Sequence, residues 1–453
     1  MYIGFVPTDA RTIAFRVLVR VDAQGAFASL ALDAELKAAG RLDRREIALA
    51  TELAYGTLRR QIALDHALAQ VSSRPLDSLE PPVRAALRLG AYQLHHTRVA
   101  PHAAINESVD LAKRERHSHG AGYVNAVLRA LTRTQASAEP RAETDPIGAL
   151  ALETSHPRWL VERWAAWIGF DEAAALCRAN DAAAPTQLRV SLPKASRDEA
   201  AARLLADDKA QTEPTRRSPS GLVLVEGPPQ SQLRSRAAGL VQAQDEGAQI
   251  VSLYADPPRG GRILDLCAAP GGKTCHLAEL AGPEARVIAV DLSERKLDEV
   301  RAAAKRMSLP IDAHAADATL PLPFADEASF DLVLLDAPCS GLGTLRRHPE
   351  LKTRRQPNDF ASLVTLQAAL LDRAQRYVRP GGHLVYAVCT LSAEECERQI
   401  DSFLERAPQF KRDPPNVADK AWADCVDARG HLVTLPHRHG TDGFFAARLR
   451  RSV

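Results

Sequence analysis

Two cysteines stand where the chain could do chemistry, Cys339 in DAPCSGLGTLRRHPE and Cys389 in AVCTLSAEE. Each follows an apolar run that reads as a strand, FDLVLLD and HLVYAV. Each lies among Gly, Pro, Ser and Thr, where loops and functional groups collect. A buried cysteine is usually an inert small hydrophobe. Two thiols just past the ends of neighbouring strands would instead face one cleft and suit nucleophilic or acid/base chemistry. The spacing does not favour zinc: no CxxC occurs, Cys389 and Cys396 are seven apart, and His437 to His439 stand alone.

The stretch LDLCAAPGGKT, Leu264 to Thr274, adds a ligand site. A strand runs into a turn holding Pro270, Gly271 and Gly272, and then into a helix starting near Lys273. Such a helix start offers free N–H groups and a positive dipole to an anionic ligand, and glycine lets the backbone come close. The GxGxxG of a dinucleotide site is missing. GGKT matches the end of a P-loop, and FDLVLLD resembles the strand whose Asp helps hold Mg²⁺. The leading P-loop glycine, however, would have to stand at Cys267. Asp265, Asp291, Asp317 and Asp336 close or follow four successive strands and would gather at one edge of a parallel sheet, where such sheets bind ligands. Taken singly, each aspartate reads as a turn residue or helix cap. Together they fit a nucleoside with a small charged tail, with Asp291 on the ribose and Asp317 near the base. S-adenosylmethionine is such a molecule.

These residues need a sheet to position them, and the pattern supplies one. From about residue 237, strands GRILDL, RVIAVDL, IDAHAAD, FDLVLLD and HLVYAVCT alternate with helices KTCHLAELA, ERKLDEVRAAAKRM, DFASLVTLQAALLDRAQRYV and AEECERQIDSFLERA. This predicts a Rossmann-like α/β domain over 237–453, with DGFFAARLRR as a last strand paired antiparallel at the edge. Residues 139–236 form a polar linker, QASAEPRAETDP, and a small α/β module with strands TQLRVSL and GLVLVEG around the helix SRDEAAARLLA. Between them Trp159, Trp164 and Trp167 lie at helical spacing. A buried seam between domains accounts for them better than base stacking. Residues 1–138 show apolar spacings of three and four throughout, which predicts an all-α bundle, with Pro81 and Pro82 opening one helix.

At 453 residues, 45% hydrophobic and 25% charged, the chain reads as a soluble protein of two or three domains. No run approaches the roughly 20 apolar residues of a membrane span, and the N-terminus lacks a secretory pattern, so a cytoplasmic location is expected. Seven scattered cysteines make no disulfide framework. The first 140 residues carry 18 Lys+Arg against 14 Asp+Glu, a lean toward a nucleic-acid surface that ordinary solvated helix faces explain about equally well.

The helical segment, in LAYGTLRRQIALD and the pair AINESVDLAKR and GYVNAVLRAL, resembles the RNA-binding NusB antitermination fold. LDLCAAPGGKT, LLDAPCSGLGTLRRHPE and AVCTLSAEE resemble the motifs of RNA cytosine C5 methyltransferases. With the NusB-like part they point to the subfamily acting on cytosine 967 of 16S rRNA. The resemblance implies S-adenosylmethionine as cofactor, 16S rRNA as partner, and neither a membrane nor an obligate protein partner. It implies Cys389 as the nucleophile that adds to carbon 6, and Cys339 as the thiol that helps break down the adduct. Asp336 would stand on the cytosine edge, and Lys273 in contact with cofactor or substrate. Cys267, Ala268, Ala269, Pro270, Gly271, Gly272 and Lys273 would wrap the methionine part, with Asp291, Asp317 and Asp336 completing the cofactor site. Arg346, Arg347 and His348, beside the thiol loop, suit RNA phosphate or a solvated loop. ELKTRR lacks a tryptophan common after that motif, a departure that touches substrate fit. The alternatives are a non-catalytic RNA-binding ribosome-assembly factor, from another class, and a C5 methyltransferase acting on a different rRNA or tRNA cytosine.

Overall fold

The computed structural model describes residues 9–40, 42–114, 118–134 and 142–453. The extreme N-terminus and most of the expected linker, residues 135–141, lie outside them. By internal contacts the chain forms two units. The first comprises residues 1–183 with Leu345–Arg355, the second residues 184–344 with 356–453.

The first unit is helical, as its period demands. Asp9 and Asp43 cap the helices Ala10–Gln24 and Arg44–Arg59 by accepting from Thr12 N and Glu46 N, and Pro81–His96 starts on its two prolines. Helices Gln61–Ala69, Pro101–Arg114 and Ser118–Leu131 complete a bundle around Ile13, Phe15, Leu53, Leu87, Leu89 and Leu128. The Asp145–Pro146 pair, read as the end of a linker, opens a helix instead. Asp145 accepts from Gly148 N at 2.9 Å and Pro146 takes a first-turn position where its missing N–H costs nothing. Helix Arg158–Ile168 follows, and its tryptophans do not share one buried face. Trp164 is 0% exposed, whereas Trp159 and Trp167 are half-buried. At 100° per residue the three span about 140° of the helix, too wide for one seam.

The second unit begins with strands β1 (Thr186–Val190), β2 (Gln211–Pro214), β3 (Gly221–Glu226) and β4 (Val241–Ala243). They form an antiparallel sheet ordered β2-β3-β1-β4, backed by the helix Arg197–Asp208. Two of these strands were not legible as strands. β2 is polar and exposed, and β4 has only three residues.

The larger sheet contains β5 (Arg262–Leu266), β6 (Arg286–Asp291), β7 (Ile311–Ala315), β8 (Phe330–Asp336), β9 (Val378–Val388), β10 (Phe410–Arg412), β11 (Leu432–Thr434) and β12 (Phe444–Arg451). Its order is β10-β12-β9-β8-β5-β6-β7, with β11 also on β12. The strands β5 to β9 are mutually parallel and β12 runs antiparallel to β9. β12 is not the edge that the sequence suggested, because the short β10 and β11 pair along it. The strand order reverses between β5 and β8, and the cleft at that switch point is where an open sheet binds its ligand. Leu264, Leu266, Val333, Leu335 and Tyr386 fill the core on one face of the sheet, and Ile263, Leu332, Leu334 and Val385 on the other.

Candidate functional site

Past the end of β5, Cys267 adopts a left-handed conformation with φ 62°, and Gly271 follows at φ 95° as N-cap of the helix Gly272–Ala281. A left-handed cysteine is strained, and such strain is tolerated where the surrounding structure holds the turn for a purpose. Ala268 N bonds Val290 O at 2.9 Å and Gly271 N bonds Ala268 O at 2.8 Å, which folds Ala268, Ala269 and Pro270 tightly over the sheet edge. The first N–H groups of the helix at Gly272 have no intrahelical acceptor.

All four expected aspartates come to this edge. Burial first, and then Asp336, Asp291, Asp265 and Asp317, push the Cys267 thiol far up, so it stays protonated. Asp265 is 1% exposed. It accepts from Thr274 Oγ1 at 2.6 Å through Oδ2, while its Oδ1 has no partner. Burial pushes its pKa up to about 7. Asp291 accepts from Ala269 N at 3.2 Å and Ser293 N at 3.0 Å, so two backbone groups orient it at the end of β6. Asp317 is exposed and bonds Thr319 through its side chain and backbone, which holds its carboxyl below the usual range.

Asp336 pairs with Lys273, with Nζ to Oδ2 at 2.6 Å, and the ammonium stands 5.0 Å over the Phe444 ring. Burial opposes the lysine's charge, but Asp336, and then Cys389 and Asp265, hold it above the ordinary lysine range. Cys339 and Cys389 meet, with their sulfurs 3.4 Å apart. The hydrogen bond from Cys339 is the main force lowering the Cys389 thiol below its ordinary range. Burial and Asp336 oppose it, and Lys273 supports it. The same bond, with burial, raises Cys339. Of the two sulfurs Cys389 is thus the more easily deprotonated, with Cys339 in hydrogen-bond contact with it.

Sequence reading missed several neighbours of these residues. Glu395 is fully buried and binds the residues that follow both cysteines. Phe444 opens β12, a strand read only for its pairing. Thr274 is the partner that a buried Asp265 requires. The signal for Glu395 was the acidic pair ending AVCTLSAEE, which resembled an ordinary helix start. In the structure the helix starts four residues later than expected, at Glu397, because Glu394 and Glu395 lie in a turn.

The run Arg346, Arg347, His348 belongs with Leu345–Arg355 to the helical unit, where Arg346 is only 9% exposed and His348 packs edge-on to Phe27 at 5.5 Å. Its buried position removes Arg346 as a free phosphate contact. His439 does not stand alone: its donor atoms lie with those of Asp424 and Cys425 within 4.8 Å of one another. Asp424, however, already receives the Arg217 guanidinium at 2.6 Å. Both oxygens of Asp424 accept from that guanidinium, at 3.0 and 2.6 Å, so the carboxylate is already engaged by a cation.

A parallel sheet that switches order between β5 and β8, with a glycine-capped helix start, gathered carboxylates and a buried unpartnered acceptor at its edge, is built to bind a nucleoside-bearing ligand, as S-adenosylmethionine-dependent methyltransferases do. The profile of the family described as 16S rRNA methyltransferase RsmB/F matches residues 252–450. The NusB family matches residues 8–133, and an RsmF/B-like ferredoxin-like domain matches residues 156–230. The ribosomal RNA small subunit methyltransferase B of Pseudomonas putida is 36% identical over 441 residues, 97% of this chain and 98% of that protein. The protein of the same name from Photorhabdus laumondii is 36% identical over 403 residues, 89% of this chain and 90% of that protein. A solved structure described as "Crystal Structure of PH0851" is 27% identical with a TM-score of 0.86 and covers 98% of this chain and 99% of its own. The chain belongs to the RsmB/F family of rRNA small-subunit methyltransferases.

Proposed function

We propose that the protein methylates carbon 5 of a cytosine in 16S rRNA, cytosine 967, through a covalent adduct on Cys389. The observation that carries this is the thiol pair at 3.4 Å beside the Lys273–Asp336 ion pair at the mouth of the parallel sheet. Methylation at a ring nitrogen or at a ribose would need no second thiol. Carbon 5 of cytosine is a weak nucleophile, and a thiolate adding to carbon 6 turns the ring into an enamine.

The cofactor supplies the electrophilic methyl. Cys389 forms the S–C6 bond and shifts the C5–C6 electron pair to carbon 5, which takes the methyl. Asp336 hydrogen-bonds the cytosine edge and supports charge at the ring nitrogen, a contact that uracil would not match. Lys273 holds Asp336 in place and keeps the thiolate beside a cation. In the closing step the carbon 5 proton leaves to water, the C5–C6 double bond re-forms and the C6–S bond breaks, returning the electron pair to the Cys389 sulfur, which the Cys339 S–H stabilises by its hydrogen bond. Asp265, with one oxygen free, suits the ammonium of the methionine part. Gly271, Gly272 and the helix start take its carboxylate, Asp291 the ribose, and Asp317 the adenine. Residues 1–138 and 139–236 are read as the RNA-binding parts, and the target base must be unstacked to be attacked.

The test is transfer of labelled methyl from S-adenosylmethionine to 16S rRNA by wild type, Cys389→Ala and Cys339→Ala. Each mixture is also run on a denaturing gel, and the modified base is mapped. Cys389→Ala is expected to be inactive and to form no adduct, and Cys339→Ala to accumulate protein bound to RNA. RNA binding by wild type with no transfer would replace this reading with that of an assembly factor.

A further inference from the structure

We propose that Glu395 is a positioning residue of the reaction: its buried carboxylate clamps the two thiol loops together and so fixes Cys339 against Cys389. The catalytic part of this inference rests on the cytosine C5 reading above.

Glu395 is 0% exposed and accepts four hydrogen bonds. Oε1 receives Ser340 N at 2.8 Å and Gln367 Nε2 at 3.1 Å. Oε2 receives Ser340 Oγ at 2.5 Å and Thr390 Oγ1 at 3.3 Å. Ser340 is the residue after Cys339, and Thr390 the residue after Cys389. The two hydroxyls lie 2.6 Å apart, so the Thr390 proton is shared between Ser340 Oγ and Oε2. One carboxylate therefore grips both loops one residue beyond each sulfur.

The clamp is itself anchored. Gln367 also donates to Pro338 O at 2.9 Å, on the other side of Cys339. The Glu395 carbonyl receives Tyr386 Oη at 2.8 Å from within β9, the strand that delivers Cys389. Gly343 N bonds Cys389 O at 3.0 Å, a second tie between the loops.

A buried carboxylate is costly unless its lone pairs are used, and here donors from both thiol loops and from Gln367 use them. The arrangement makes sense where the acid holds two reactive loops at a fixed separation. The coupling of a sulfur pair depends on its separation, and a misplacement of about 1 Å can cost on the order of 100-fold in rate.

The test compares wild type with Glu395→Gln, Glu395→Asp and Glu395→Ala. Glutamine keeps the volume but removes the charge, and its N–H₂ is accommodated only if the Ser340 and Thr390 hydroxyls reverse to accept it, so the charge-assisted hydrogen bonds to Oε2 are lost. The expected result for Glu395→Gln is a kcat lower by about 30-fold, as for loss of a charge-assisted hydrogen bond. The KM for rRNA and the affinity for S-adenosylmethionine should stay within about threefold. Independently of RNA, alkylation of Cys389 by iodoacetamide at pH 7, read by peptide mass spectrometry, should slow by about tenfold as the Cys339 bond loosens. Glu395→Asp should recover part of both effects, and Glu395→Ala none. Wild-type alkylation and turnover in Glu395→Gln would overturn the proposal, as would a loss of activity that only follows a loss of cofactor binding and of melting temperature. If wild type methylates no rRNA cytosine, the C5 reading fails by itself, and the alkylation rates still decide for or against the clamp.

Discussion

Asp265 carries a hydrogen bond from Thr274 on one oxygen and none on the other, and it is almost fully buried. Its pKa of about 7 means that the folded state keeps a proton that the unfolded chain releases near pH 4. The folded state therefore binds more protons between about pH 4 and 7, and stability falls across that window as pH rises. Asp265→Asn should flatten that fall and raise the melting temperature at pH 8, measured by calorimetry without cofactor. Cofactor affinity should drop in the same variant by about tenfold or more, because a carboxylate aimed at an ammonium is lost. A variant with unchanged pH dependence would show that Asp265 ionises normally. The other aspartates differ for local reasons: backbone N–H groups hold Asp291, Thr319 holds Asp317, and Lys273 holds Asp336. The sequence placed all four at strand ends. It did not show that Asp265 lies in the core.

At the scale of elements, the turn after the thiol loop meets the start of β12 backbone to backbone. A Cβ on Gly343 would lie 1.9 Å from Gly443 O, and Gly443 N donates to Gly343 O at 2.7 Å. The blocking atom is backbone, so no rotamer change relieves it. Gly343→Ala should cost roughly 3 kcal/mol, as severe overpacking does, and should abolish methyl transfer because Gly343 N also holds the Cys389 carbonyl. Urea unfolding with a parallel activity assay checks both. Near-normal activity would show that the two loops can part without consequence. Alternation of strands and helices was enough to predict the parallel sheet, because buried parallel strands read as apolar runs. The strands that were missed, β2, β4, β10 and β11, are short or polar, and only their pairing partners make them strands.

At the scale of the whole molecule, the chain leaves its second unit after Thr344, gives Leu345–Arg355 to the helical unit and returns at Gln356. In that unit Glu350 accepts from Ala28 N at 3.1 Å, and Arg354 donates to Ala26 O at 2.8 Å. Lys352, 2% exposed, donates to Arg59 O at 3.3 Å and Thr154 O at 3.2 Å. Burial pulls its pKa down to about 7. Between pH 7 and the ordinary lysine value near 10.4, the unfolded chain binds the proton that the folded one has lost, so stability rises with pH there. Lys352→Met should remove that rise and stabilise the helical unit below pH 7, by about 1.4 kcal/mol per pKa unit at most. Urea melts followed by tryptophan fluorescence suit this test, since Trp159, Trp164 and Trp167 all lie in the helical unit. A pH slope unchanged by the substitution would refute it.

The sequence by itself determined the helical bundle, the parallel sheet, the glycine turn and the two cysteines beyond adjacent strands. Each of these is written in local periodicity or in contiguous motifs, which need no partner to be legible. Only the tertiary structure decided that ELKTRR, a few residues past a thiol loop, belongs to the helical unit, and that Arg346 is buried there. It also decided that Glu395 turns inward to hold both thiol loops. Those facts join residues tens to hundreds of positions apart, and a charged side chain carries no local sign of whether solvent or a set of buried donors will receive it.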